Sequence, residues 1–463
     1  MTALLETILN EANINLAIKN VMANKGASGI DNMKVEELPE YFALHGEDIK
    51  EAIRNRRYKP SPVREVYIPK PNGGKRKLGI PTSIDRVIQQ AILQVVSPLV
   101  NERFSNSSYG FRPNRSAQQA ILKALELFND GYDYIVDIDL AKFFDNVPHD
   151  RLMSKVHTFI NDGDTESLIL KYLKSGSMSL DKFNPSEIGT PQGGPLSPLL
   201  SNIYLDELDK ELESRGLSFC RYADDCIILV KSHLAAKRVM KSIVTFLERK
   251  MKLKVNATKS KIVTPMGLTY LGYSFYFHKE KYEYRARISD EKFSSLKVKI
   301  RQITRRNQGN KTTEEICKNV SQILRGWINY FIYADINQRK LDKVWRMIKR
   351  RIRVIIYKKW KLPQRREQAL LKCWEIRKKL EDLSGWKIPE GLMKKNAKGI
   401  ANQGNHYAKI GASGTFAQYV SESLLEKKGL LNPIKYLSIR KTKLCLNWTA
   451  VCGKPHVRWC ERD

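Results

Sequence analysis

The chain has 463 residues, enough for two or three domains and a sizeable core. Lys and Arg number 81 against 49 Asp and Glu, a net charge of +32 that makes a merely soluble basic surface a poor account and predicts a polyanionic partner, nucleic acid before anionic membrane. Glu6 and Glu11 interrupt the first segment, so no signal peptide is expected. No apolar run approaches the ~20 residues of a membrane helix, and the seven scattered cysteines fit a reducing compartment without a disulfide framework. A cytoplasmic location with no membrane partner is the expectation.

Residues 1–60 read as helices broken by the glycine-rich turn NKGASGID. REVYIPKPNGGKRKLGIP reads as a hairpin with a PNGG turn. SIDRVIQQAILQVVSPLV has helical spacing, with Ser83 as the expected cap. YDYIVDIDL alternates, with Tyr134, Val136, Ile138 and Leu140 on one face and Ile135, Asp137 and Asp139 on the other. Helices follow to about residue 175. SFCRYADDCIILVKS predicts two strands around a tight turn at Asp224 and Asp225, and GLTYLGYSFYFHKEKYEYRARI another strand pair.

From about residue 289 the pattern turns helical. Phe293, Leu296, Ile300 and Ile303 line one face, and Thr312 with Glu315 forms a capping-box signature. In the next helix Leu341, Trp345, Ile348, Ile352 and Ile355 form an apolar stripe. Arg339, Lys343, Arg346, Arg350 and Arg353 repeat that spacing on the opposite face. A solvated face is the plain alternative, but an almost uncompensated basic stripe repels itself, which favours contact with a phosphate backbone. Residues 384–405 read as a linker or a loosely ordered basic segment. Cys445, Cys452, His456 and Cys460 in the tail lack the paired C-x₂₋₄-C spacing of common zinc sites, so free thiols are expected there.

The acids carry the chemistry. Asp139 ends one strand, and Asp224 and Asp225 sit at a hairpin tip. If those strands share a sheet, three carboxylates converge and resist joint ionisation. Divalent cations resolve this: Mg²⁺ takes carboxylates, waters and substrate phosphates. Two such ions about 3.5–4 Å apart activate a 3′-hydroxyl and stabilise leaving pyrophosphate. An isolated Asp-Asp pair is more often a solvated turn, so the surrounding sequence decides.

YADD, DLAKFFD and GTPQGGPLSPLLSNIYL together resemble the palm motifs of reverse transcriptases, in the spellings of the group II intron-encoded branch, also called maturases. KGASGID resembles the N-terminal extension of that family, and YIPKPNGGKRKLGIPT and YGFRPNRSAQQAI its fingers. LKVNATKSKI and YLGYSF are similar to its last palm blocks, LRGWINYF and IYKKWK to its thumb. The resemblance implies an α+β right-hand polymerase, with an N-terminal extension over 1–60, fingers and palm over 61–280, a helical thumb or maturase domain over 289–383, and a basic linker and tail over 384–463. Larger members of that family end in an HNH-type endonuclease domain with cysteine pairs; no such motif is seen after the thumb here, so none is expected.

By resemblance, Asp139, Asp224 and Asp225 match the catalytic, metal-binding acids, with Mg²⁺ expected and Mn²⁺ a substitute. Phe144 matches the position that crowds the sugar 2′ carbon and selects dNTPs, and Phe143 is read as an ordinary core aromatic. Gln192 matches a residue packing near the incoming nucleotide, Lys70 and Arg76 match fingers residues that grip the triphosphate, and Asp137 is read as structural. Lys259 or Lys261 could protonate pyrophosphate, and the sequence does not choose between them. Ala141 departs from the acid that many relatives carry there. The implied partners are an RNA template, a DNA or RNA primer, dNTPs, group II intron RNA and target DNA. Three rivals stand beside a splicing and retrohoming reverse transcriptase: a host-adopted enzyme of repair or defence, a non-catalytic splicing maturase, and an RNA-dependent RNA polymerase. The three intact acids argue against the second and Phe144 against the third.

Overall fold

The computed structural model describes residues 2–69, 73–179, 182–184, 189, 193–305, 311–381, 389–404 and 406–452. The chain divides into two compact units, Met1–Leu268 with Lys279–Tyr284, and Thr269–His278 with Arg285–Asp463.

In the first unit, helices α1 (Ala3–Leu9), α2 (Glu11–Ala23) and α3 (Leu38–Arg54) precede the hairpin of β1 (Val63–Pro69) and β2 (Lys75–Ile80), paired antiparallel from Arg64↔Ile80 to Pro69↔Lys75. Helices α4 (Ser83–Asn101) and α5 (Ala117–Asn129) lead to β3 (Tyr134–Ile138). The cap of α4 is Thr82, one residue before the expected Ser83; its hydroxyl accepts from the Asp85 amide, while Ser83 donates to the Met33 carbonyl. Two adjacent hydroxyls offer the same chemistry, and only the backbone turn decides which one caps.

Helices α6 (Phe143–Asn146), α7 (His149–Ile160) and α8 (Gly163–Lys174) follow, then the short strands β4 (Ser177–Ser179) and β5 (Lys182–Asn184). The helix α9 (Ser197–Ser214) enters the hairpin of β6 (Ser218–Tyr222) and β7 (Asp225–Val230), and α10 (His233–Thr245) and β8 (Lys261–Val263) follow. The order β6-β7-β3-β8 forms one four-stranded sheet and β2-β1-β4-β5 another. Alternation in β3 works as read: Val136, Ile138 and Leu140 join Cys226, Ile228 and Val230 in a core completed by α1, α2, α4 and α9.

Next in the chain come β9 (Thr269–Tyr270) and β10 (Tyr273–His278) of the second unit, and β11 (Glu283–Ile288), which enters that unit at Arg285. These make three strands, not the expected two, because Leu271 at φ 50° and Gly272 at φ 84° turn the chain early. Helices α11 (Asp290–Ile303), α12 (Thr313–Tyr330), α13 (Gln338–Lys359) and α14 (Pro363–Glu381) follow. The Thr312–Glu315 capping box is formed, and the apolar stripe of α13 from Leu341 to Ile355 is buried.

The segment read as linker contains a helix, α15 (Glu390–Ala401), which buries Met393, Ala397 and Ile400. Its lysines and glycines masked a short apolar stripe at helical spacing. The remaining helices are α16 (Tyr407–Ala412), α17 (Gly414–Tyr419), α18 (Glu422–Lys427) and α19 (Pro433–Cys452). Among the described residues, no helix is long and apolar enough to cross a membrane.

Candidate active site

Strand register brings the acids to one end of the β6-β7-β3-β8 sheet. Strands β3 and β7 run antiparallel with Ile138 opposite Cys226, so Asp139, just past β3, lies beside Asp225, the first residue of β7. Strands β6 and β7 pair through Tyr222↔Asp225, leaving Ala223 and Asp224 as a two-residue turn. Ala223 holds φ 57°, a left-handed conformation that costs a non-glycine residue about 1–2 kcal/mol.

Residues 254–260 brace Asp139 from the other side. The Ala141 amide donates to the Lys254 carbonyl at 2.8 Å and the Asn256 amide to the Asp139 carbonyl at 2.9 Å. The Asp139 amide donates to Ser260 Oγ at 3.1 Å, and Lys259 Nζ lies 3.2 Å from Asp139 Oδ2. Lys261 instead sits on β8 opposite Asp137. Of the two lysines left open by the sequence, Lys259 is therefore the one that contacts a candidate acid. Asn256 and Ser260 were not singled out in the sequence, because their roles run through backbone groups more than a hundred residues away.

The acids act on one another's charge. Asp225 keeps solvent contact on one side. The protein enclosing its other side, followed by Asp224, Asp137 and Asp139, pushes its carboxyl up to about 6, against a smaller opposing pull from Lys259. Burial likewise raises Asp224, with Asp139 adding to the rise and Arg76 opposing it. Asp137 is raised by burial and by Asp139, with Lys261 opposing. Among the described residues, no three acidic, histidine or cysteine side chains already enclose a metal position. The donor set nevertheless fits a hard divalent cation, whose remaining ligands would be waters and phosphate oxygens.

Around the acids, Phe144 is half-buried and packs edge-on against buried Phe143, with ring centroids 5.3 Å apart. Arg76 projects from β2 as an exposed residue. A Cβ added to Gly193, at φ 131°, would lie 2.5 Å from the Gly79 carbonyl oxygen, so only glycine permits that approach to β2. Lys70 and Gln192 lie outside the described residues. Ala141, the departure from the family pattern, keeps the hydrogen bond from its amide to the Lys254 carbonyl.

The family described as "Reverse transcriptase (RNA-dependent DNA polymerase)" matches residues 68–275, and that described as "Group II intron, maturase-specific domain" matches residues 293–374. Protein YkfC of Escherichia coli (strain K12) is 33% identical over 307 residues, covering 58% of this chain and 81% of that one. The group II intron-encoded protein LtrA of Lactococcus lactis subsp. cremoris is 38% identical over 218 residues, covering 46% of this chain and 35% of LtrA.

The chain belongs to the group II intron reverse transcriptase–maturase family.

The expected α+β right-hand polymerase fold follows from that membership. A solved "Partial Cas6-RT-Cas1--Cas2 complex" is also similar, at 25% identity and TM-score 0.35, covering 54% of this chain and 43% of that one. This chain spans about a third of LtrA's length. Reverse transcriptase domains generally depend on divalent metal.

The maturase-specific match takes in α12, α13 and most of α11. Here the basic stripe divides. Arg339, Lys343, Arg346 and Arg350 are exposed. Arg346 is paired with Asp342 at 2.8 Å, so the stripe is less uncompensated than its spacing suggests. Arg353 departs from it: half-buried, it donates from Nε to the Val420 carbonyl at 3.0 Å, and burial lowers its pKa. Helical spacing gives a face but not the neighbour that covers its end. Between α11 and α13, Arg301, Lys343, Arg346, Arg350 and Arg351 line a cavity of about 440 Å³, with no acid among the described residues that line it. Of the tail cysteines, Cys445 and Cys452 fall within α19, while His456 and Cys460 lie outside the described residues.

Proposed function

We propose that this chain is an RNA-directed DNA polymerase that copies RNA into cDNA from a primer 3′ end with dNTPs and Mg²⁺, and that it binds group II intron RNA to assist splicing and retrohoming. Residues 61–280 would form fingers and palm, 289–383 the thumb or maturase part, and 384–463 a further nucleic-acid-binding region. The observation carrying the reading is the register of β3 against β7, which gathers Asp139, Asp224 and Asp225 at one end of the sheet.

In this reading, Asp139, Asp224 and Asp225 hold divalent ions, which supply Lewis acidity toward the 3′-hydroxyl and the departing pyrophosphate when bound. Phe144 excludes a 2′-hydroxyl by occupying its space. Arg76 and Lys70 hold the triphosphate, offsetting its negative charge as bonds change. Gln192 packs beside the nucleotide. Lys259 balances Asp139 and stands ready to deliver a proton to pyrophosphate. Arg339, Lys343, Arg346 and Arg350 contact RNA phosphates, with the basic cavity between α11 and α13 as the densest part of that surface.

The test uses a precursor RNA carrying a group II intron, incubated with wild type and with Asp224→Ala. Both proteins are expected to bind the RNA and stimulate splicing, and wild type alone to make cDNA. Loss of both functions in the variant would overturn the separation of polymerase acids from RNA-binding surface.

A further inference from the structure

Arg221 stands next to the last residue of β6 with no exposed surface, between buried Cys220 and the acid turn. Its Nε and Nη2 donate to Asp209 Oδ1 at 2.6 Å and Oδ2 at 2.5 Å, and Asp209 is itself fully buried on α9. Its Nη1 donates to Asn202 Oδ1 at 2.9 Å and to the Ala223 carbonyl at 3.0 Å. Asn202 is held in turn, donating to the Gly110 carbonyl at 2.8 Å.

The backbone of residues 107–110 closes over the other side. The Arg221 amide donates to the Ser107 carbonyl at 2.9 Å, and the Tyr109 amide donates to the Arg221 carbonyl at 2.8 Å. A Cβ added to Gly110 would lie 2.3 Å from the Ala223 nitrogen. Ala223, at φ 57°, is therefore gripped by a guanidinium on one side and by a glycine on the other.

Stability alone does not account for this arrangement. A buried ion pair is often no more stabilising than well-packed apolar side chains of similar volume. Only a fixed polar group, however, can donate to the Ala223 carbonyl, which belongs to the same peptide plane as the Asp224 amide. We propose that Arg221, aligned by Asp209 and Asn202, is a positioning residue for the acid turn. It fixes the Ala223–Asp224 peptide and thereby the directions in which Asp224 and Asp225 present their carboxylates to a divalent cation. The inference rests on the proposed polymerase reading.

The test compares the full chain with Arg221→Lys and with the double variant Arg221→Met/Asp209→Leu. The double variant removes both charges and keeps the site filled, so no lone buried charge unfolds the protein. Arg221→Lys keeps the ion pair but loses the planar fork that reaches two partners at once. Folding is checked by circular dichroism and thermal melting. Mn²⁺ binding is read by electron paramagnetic resonance without nucleic acid, and the Mg²⁺ concentration for half-maximal cDNA synthesis is measured separately.

The double variant is expected to fold, bind Mn²⁺ about tenfold more weakly, require correspondingly more Mg²⁺, and bind RNA as wild type does. The lysine variant shifts in the same direction by less. A folded double variant with wild-type Mn²⁺ affinity and Mg²⁺ requirement would overturn the inference. Failure of the polymerase reading looks different: wild type would make no cDNA, while the comparison of Mn²⁺ affinities would stand.

Discussion

Replacing Asp225 by asparagine should stabilise the metal-free protein while abolishing polymerisation. The carboxyl rises from 3.8 to about 6 because of its enclosure and its neighbouring carboxylates. A rise of that size, fully expressed, corresponds to ~3 kcal/mol at neutral pH. Asp225 is exposed on one side, so solvent screening reduces the expected gain to about 1 kcal/mol, or a rise in Tm of about 2 °C for a unit of this size. An acid with a raised folded-state pKa favours the fold most below its unfolded value, and that contribution is lost as pH rises through about 6. The asparagine advantage should therefore be complete at pH 7 and above and fade between pH 6 and 4. Melting curves in EDTA across that range provide the assay. Added Mg²⁺ should raise the Tm of wild type more than that of the variant, since an ion stabilises the state that binds it. An asparagine variant no more stable than wild type at pH 7, or one whose advantage grows on acidification, would refute the reasoning.

Other substitutions separate the remaining roles. Phe144→Ala should raise ribonucleotide incorporation at least about tenfold by opening the space beside the sugar, a gain of at least roughly 1.4 kcal/mol in relative transition-state binding; unchanged sugar selectivity in primer extension would remove its assigned role. Neutralising Lys343, Arg346 and Arg350 to glutamine should weaken RNA binding and lower the logarithmic salt slope by about 2, since each single-strand phosphate contact contributes about 0.7. Arg353→Gln should instead leave that slope alone and cost about 1 kcal/mol of stability through the lost bond to Val420, read by denaturant unfolding. Gly110→Ala should displace the acid turn, since the new Cβ meets the Ala223 backbone at 2.3 Å; cDNA synthesis should fall while RNA affinity, measured by filter binding, holds.

Local patterns were the legible part of the sequence. The alternation of β3, the hairpin at the acids and the Thr312–Glu315 box each depend on residues a few positions apart, so periodicity and turn chemistry reveal them. Convergence of the acids requires their strands to share a sheet, and the β3–β7 register brings them to one end of it. Burial decided by distant elements was not legible. Spacing puts Arg353 on the same face as Arg350, but the Val420 carbonyl lies in the bend between α17 and α18, far along the chain. The Arg221–Asp209 pair joins a strand to the preceding helix, and its only local hint is an arginine within an otherwise buried run. The α15 helix was hidden by composition, because glycine and lysine outweighed three apolar residues at helical spacing.

The central claim is that the acid turn polymerises DNA on an RNA template. Its most direct test is primer extension on an RNA template with dNTPs and Mg²⁺, comparing wild type with Asp139→Ala and Asp224→Ala while RNA binding is followed in parallel. Full-length cDNA from wild type alone, with all three proteins binding RNA equally, is the predicted result. Equal cDNA yields from all three would contradict it, as would RNA-bound wild type that makes no cDNA.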